Sequence, residues 1–273
     1  MASNFLEWLA ETPFLVAFLV IAIPGILIST LGILLVRAFY PSEYRITGTA
    51  AHAKINYMAE IYAVMIGLFL VSAFEQYQDM QTTVRNEALA LRALSQTAAQ
   101  FSPEAQGSLF DLIQAYLRTV IDNEWPLLKF GDESQAAQVD LDRIFASIAA
   151  AGRYSAEDRG IAIQAQQIAI QVLTRRAERL TNGPGNGDAL PNMLSSVLLV
   201  LTLVAIALPW FVYTPYAIVH ILLGTALVVV FISLITLAVK MLYPFAGELM
   251  LQPDDFVAAL QTLTDLPKNG SMP

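Results

Sequence analysis

Apolar residues crowd both ends of the chain and thin out in its middle. FLVAFLVIAIPGILISTLGILLVRAF, from about Phe14 to Val36, is long enough to cross a bilayer, which takes roughly 20 apolar residues, and Pro24-Gly25 predicts a kink inside it. A second, shorter span runs from about Tyr57 to Phe74, with His52, Lys54 and Asn56 in the headgroup layer. A third covers about 190–213 and a fourth about 216–242, closed by Pro244. Only VYTP joins these last two, which predicts a tight antiparallel hairpin. Trp210, Phe211, Tyr213 and Tyr216 between them have the make-up of an interfacial aromatic belt.

Between the second and third spans the period becomes that of one-sided helices. No Pro or Gly lies between Gly67 and Pro103, so the second span should continue as one helix to about Ala99. Ser102 as N-cap and Pro103 at the first helical position start the next, with Leu109, Leu112, Ile113, Tyr116, Leu117, Val120 and Ile121 inward and Pro126 ending it. A third helix spans about 134–151, with Val139, Leu141, Ile144, Phe145 and Ile148 inward. Ser155, with Asp158 three residues on, caps a fourth that reaches Leu180. NGPGNGD, 182–188, predicts a flexible joint. The expected fold is an all-α membrane protein: transmembrane helices 1 and 2 in 1–75, a helical bundle in 76–189, transmembrane helices 3 and 4 in 190–243, and a C-terminal segment in 244–273.

Composition supports the membrane reading. Charged residues make up 14% of the chain, against about 25% in an ordinary soluble domain, so much of the surface must face membrane lipids. A net charge of −8 without a basic stripe excludes nucleic acid as a partner. The absence of cysteine excludes disulfides, thiolate catalysis and cysteine-held metals. The start, MASNFLEWLAETP, lacks a positive leader region, so the first span is expected in the mature protein. Four spans place both termini and the insert on one side. Arg85, Arg92, Arg175, Arg176, Arg179 and Lys240 lie there, against Arg37, Arg45 and Lys54 opposite, which favours a cytoplasmic insert; the location expected is a bacterial inner membrane. The two histidines, His52 and His220, fall near membrane boundaries; no catalytic triad, HExxH, phosphate loop or dinucleotide fingerprint occurs. No enzyme activity, cofactor or metal is expected.

One stripe carries candidate chemistry. On a helix, Asn56, Glu60, Val64, Gly67, Val71, Glu75 and Gln78 share a face, with Leu68 and Asp79 beside it and Leu70 directed away. Two readings stand. In the structural one, Glu60 snorkels or pairs with Lys54, and Gly67 allows close helix packing. In the functional one, the stripe is a pore wall: acids at Glu60, an apolar constriction, then acids at Glu75 and Asp79. Glu124-Trp125-Pro126 is read as a helix terminus with Trp125 plugging the bundle, a binding element being the alternative; at Pro244-Phe245-Ala246-Gly247 the proline stops the span and Gly247 allows a sharp turn that folds Phe245 back, in a segment expected to couple the insert to the spans.

AEIYAVMIGLFLVSAFEQYQD, followed by VRNEALAL, together with AYLRTVIDNEWP and LYPFAGELMLQPDDF, resembles the bestrophin-like domain family from about residue 50 to 256. The matching features fall on Phe74, Glu75, Tyr77, Glu87, Glu124-Trp125-Pro126 and Pro244-Phe245-Gly247. The resemblance implies a homo-oligomeric ion channel, a pentamer with four spans, cytoplasmic termini and an apolar neck on the second span. Gly67 departs from a neck of bulky residues, and Asp254-Asp255 reads as a solvated turn rather than a calcium clasp. The acidic stripe favours cations, sodium or potassium, as the monovalent ions carried, although many bestrophins prefer anions. The alternative is a non-conducting membrane sensor or assembly protein whose helical insert binds a partner; a secondary transporter is third, since Pro24-Gly25 has no counterpart break in the second half.

Overall fold

A computed structural model describes residues 2–40, 49–153, 155–181, 192–212 and 215–265. The joint expected at 182–188, and Tyr213, lie outside the described residues. Among those described the fold is all-helical: α1 (Ala2–Glu11), α2 (Phe14–Phe39), α3 (Thr49–Ala98), α4 (Pro103–Thr119), α5 (Trp125–Leu128), α6 (Gln135–Ala151), α7 (Ala156–Thr181), α8 (Asn192–Ala207), α9 (Ala217–Leu242) and α10 (Asp254–Asp265). The chain forms two compact units. One comprises residues 1–77 and 188–249, the other 78–187 and 250–273, and the continuous 50-residue α3 supplies residues to both.

In the first unit, α2, α9 and the membrane part of α3 are long and apolar enough to cross a bilayer, while the apolar stretch Val197–Phe211 is shorter. Small residues bring α2 and α9 together, as suits helices that gain little from burying one apolar surface in another inside lipid. A Cβ added at Gly25 would stand 2.8 Å from Ile232, and one at Gly224 2.9 Å from Ile33. Ala17, Ala22, Ser29 and Gly32 continue this face of α2. Trp210 lies on Gly32, where an added Cβ would meet its ring at 2.5 Å. This aromatic is therefore packed inside the unit, whereas Tyr216 is exposed as a belt residue should be. On α3, Tyr62, Ile66, Phe69 and Ala73 form the packed face, against Leu198, Ala238 and Leu242, and Leu70 joins them. Leu70 is thus partly buried on the packed side of α3, away from the stripe.

The ends of this unit are tied by charge. Pro244 terminates α9, and Gly247 turns the chain at φ +69°, a conformation that favours glycine. The turn carries Glu248 to the start of α2, where its Oε2 accepts the Phe14 N–H at 2.8 Å, a carboxylate at a helix N-terminus. Lys240 is buried and donates from Nζ to the carbonyls of Ala10 (3.2 Å) and Thr12 (2.6 Å), the unpaired acceptors where α1 ends. Phe245 is fully buried beside this turn.

The second unit is a bundle whose core follows the expected period with local departures. Leu109, Ile113, Tyr116, Leu117 and Val120 are buried, as are Leu141, Ile144 and Ile148, but Val139 is 38% exposed. Ser155 caps α7, its Oγ accepting the Asp158 N–H at 2.9 Å. Ser102 makes no such side-chain bond; instead its own N–H donates to Asp158 at 3.1 Å. Pro126 does not end the helix. A π turn, Val120–Glu124, inserts one residue and bonds the Trp125 N–H to the Val120 carbonyl, and the helix continues through Pro126 to Leu128. The wider turn makes room for a proline ring that an α-turn would clash with.

Candidate functional site

The α3 stripe lies on the side opposite its packed face. Asn56, Glu60, Gly67, Glu75, Gln78 and Asp79 are all exposed. Val64, Leu68 and Val71 are 61%, 62% and 53% exposed, and a Cβ at Gly67 would meet nothing within 4 Å. The helix therefore presents an apolar section about two turns long with carboxylates beyond each end. Glu75 and Asp79 stand one turn apart, and Gln76 bonds back to Ser72 at 3.4 Å without covering them. On the packed side, Tyr62 shares a hydrogen bond with Thr202 at 3.1 Å and stacks edge-on against Phe231, while the Tyr77 hydroxyl donates to the Leu249 carbonyl at 3.0 Å. These contacts fix which way the helix is rotated, and so fix which face stays free.

The second unit is centred on four charged side chains. Arg179 donates from Nε (2.7 Å) and Nη2 (3.0 Å) to the two oxygens of Glu87, and from Nη2 to Glu124 at 2.8 Å. Arg176 binds the same Glu124 carboxylate at 2.6 and 3.3 Å and reaches the Ser134 carbonyl and Gln138. Tyr116 donates to Glu87 at 3.0 Å. The Arg179 guanidinium lies 5.5 Å from the Trp125 ring and 5.7 Å from that of Phe256, which are themselves edge-to-face. Trp125 Nε1 donates to the Leu251 carbonyl at 3.0 Å. Glu124-Trp125-Pro126 therefore works as one device. The π turn required by the proline aims Glu124 and Trp125 together into the core, onto Arg179.

The electrostatics follow. Burial pushes the Glu124 carboxyl up, but the Arg179 and Arg176 guanidiniums more than reverse this and hold it below the usual carboxylate range. Burial, with the Glu87 carboxylate beside it, raises the Tyr116 hydroxyl well above its ordinary value, so Tyr116 stays a donor. Burial alone would lower Arg179; Glu87 and Glu124 raise it instead. Two acids and two guanidiniums balance, and every carboxylate oxygen is already occupied. Among the described residues no group of acids or histidines could hold a metal ion. Asp254 and Asp255 sit exposed in the first turn of α10.

The fold and these motifs can be set against known proteins. The sequence matches the Bestrophin-like domain over residues 25–256. The chain belongs to the bestrophin-like family. Solved structures of variants of a bacterial bestrophin homologue from Klebsiella pneumoniae share its fold. One superposes with a TM-score of 0.71 at 12% identity over 91% of this chain and 99% of that one; a second gives 0.69 at 15% over 93% and 98%. At such identities the likeness speaks for the bestrophin fold alone, a fold known from ion channels. No curated protein matches the sequence. Within this bestrophin-like chain the motif residues Glu87, Glu124, Trp125 and Phe245 are all buried, and Gly247 occupies its turn. Arg176 and Arg179 complete the cluster. By sequence they are charges flanking a membrane span, yet they extend the spacing of the buried face Ala162, Ala165, Ala169 and Val172, and that continuity is the signal by which they are found.

Proposed function

We propose that this bestrophin-like protein is a homo-oligomeric ion channel, pentameric as the family resemblance implies, with the free face of α3 lining the axis. The observation that carries the reading is that face itself. Val64, Leu68 and Val71 leave their helix unpartnered between Glu60 on one side and Glu75 and Asp79 on the other. A carboxylate is costly in lipid toward the bilayer centre, and a water-filled axis removes that cost for the acids in line with the apolar section. Around a symmetry axis the apolar section becomes a constriction that closes by losing water, and the acids become rings that concentrate cations. Four crossings complete the topology. The 16 residues of α8 and the four of the 3-10 turn Leu208–Phe211 extend about 32 Å, close to the thickness of a hydrocarbon core. The helical insert and both termini lie in the cytoplasm.

The test is flux through proteoliposomes reconstituted at known stoichiometry, then a reversal potential under a salt gradient, repeated with Glu60→Gln and Glu75→Gln. Conduction without any added partner, reversing toward the cation potential and moved by either substitution, is expected. Reversal at the chloride potential would show that the carboxylates do not select, and absence of flux would favour a non-conducting sensor.

A further inference from the structure

Below Tyr62, toward Ala73, the packed face of α3 is closed by the core it shares with α8 and α9. On the Ile55 side of Tyr62 the three helices part. A crevice of about 200 Å³ opens there, with Met58, Ala59 and Tyr62 on one wall, Leu201 and Ala205 on the second and Phe231 on the third. By helical angle the Met58–Ala59–Tyr62 wall continues the packed face, on the side of α3 opposite Val64, Gly67 and Val71. The crevice therefore lies behind the proposed pore wall, not on it.

Its chemistry is that of hydrocarbon. Asn56 and Tyr62 are the two lining residues with polar side chains. The Thr202 hydroxyl donates to the Leu198 carbonyl at 2.8 Å and so accepts from the Tyr62 hydroxyl at 3.1 Å, which leaves no polar group waiting for water at the deep end. A cavity of this kind stays dry, and left empty it forfeits the dispersion contacts of its walls. Met58 and Leu227, both in the lining, are exposed, so the crevice opens sideways along the apolar spans.

Its shape selects the occupant. From Ile55 to Tyr62 the helix rises about 10 Å, so 200 Å³ spread over that depth leaves a mean cross-section of about 20 Å². A helix, about 10 Å or more across, needs about 80 Å², and no helix of another copy can enter. A single unbranched hydrocarbon chain has the right width. We infer that the crevice holds one acyl chain of a membrane phospholipid, its ester end beside Asn56 and its tail against Tyr62 and Phe231. The site rests on the four-crossing topology proposed above and not on conduction. Tyr62, with Thr202 and Phe231, fixes the rotation of α3, so the bound chain braces the helix from behind.

The test uses phosphatidylcholine vesicles containing a phosphatidylcholine with a diazirine near the end of one acyl chain. The full-length protein is illuminated either in the vesicles or after extraction and washing in detergent, and adducts are mapped by peptide mass spectrometry. In vesicles, Tyr62 and Phe231 should be labelled together with the outward-facing Leu199 of α8 and Leu223 of α9. After washing, only the Tyr62 and Phe231 adducts should form. Ala59→Phe and Ala205→Phe, which fill the crevice from two walls, should each lower that retained labelling about tenfold or more, and Ala226→Phe on the exposed side of α9 should leave it unchanged. Three results overturn the inference: retained labelling untouched by both filling variants, labelling of Tyr62 and Phe231 that washes out as readily as that of Leu223, or a crevice left bare in vesicles while Leu199 and Leu223 are labelled. If Leu199 and Leu203 take no label in vesicles while Leu27 of α2 does, α8 does not cross the bilayer, and the topology falls along with the site.

Discussion

Arg179 and Glu87 face each other through two hydrogen bonds of 2.7 and 3.0 Å, 92 residues apart in sequence and with neither side chain exposed. Nε and Nη2 each meet one oxygen of the carboxylate, and Nη2 also reaches Glu124. Removing one partner of such a pair leaves its mate charged in a dry core. Arg179→Leu should therefore cost about 3–5 kcal/mol, with Arg179→Lys recovering only part because it lacks the fork. Denaturant unfolding of the full chain in detergent measures this. A loss below about 1 kcal/mol would mean that the carboxylates find other partners.

Acid should loosen the same cluster. The folded-state pKa of Glu124 lies below its ordinary value of 4.5, so its contribution to stability is fully present above that value and is lost as pH falls through the lowered one. The melting temperature of the full chain is expected to stay level above about pH 5 and to fall below about pH 4. In Glu124→Gln the overall stability should be lower and this part of the acid slope should vanish. An unchanged slope would assign acid sensitivity to other carboxylates.

Gly247 should tolerate no side chain. Its φ is +69°, and an added Cβ would stand 2.1 Å from the Ala10 carbonyl oxygen. Gly247→Ala is expected to expel α1 from its seat, visible as faster amide exchange over residues 2–11. Lys240→Met should do the same more mildly, by about 1–3 kcal/mol, since it strands the Ala10 and Thr12 carbonyls without a donor. Protection unchanged in both variants would show that α1 is held by its apolar contacts with α9 alone.

At the proposed constriction, Val71→Ser and Leu68→Ser should raise basal leak in proteoliposomes severalfold. Leu70 is not a neutral control, because it packs on the core of its unit; Leu70→Ala should lower stability. Leu223, 61% exposed on α9, serves instead, and its serine variant should leave flux unchanged. Equal conductance across Val64, Leu68 and Val71 variants would place the constriction elsewhere.

How much of this could be read in advance depended on range. The continuous α3 follows from an absence of breakers between Gly67 and Pro103, and the bundle helices from their period, because both are local properties of the backbone. The motif residues around Glu87 and Glu124 were recognisable, but their partners were not. Pairing across 52, 55 and 92 residues is decided by packing, which no period encodes. Pro126 misled in the other direction. A proline normally stops a helix, and only the one-residue π insertion before it lets this one continue.

Lys240 also sets an order of events during synthesis. The carbonyls it grips belong to Ala10 and Thr12, made 230 and 228 residues earlier. At translation rates of roughly 5–20 residues per second, α1 waits about 10–50 s before its lysine exists. Glu248, which caps α2 through Phe14, arrives later still. Helix α1 is thus among the last elements to be fixed, and a chain that stops short of residue 240 lacks the donor that holds its end.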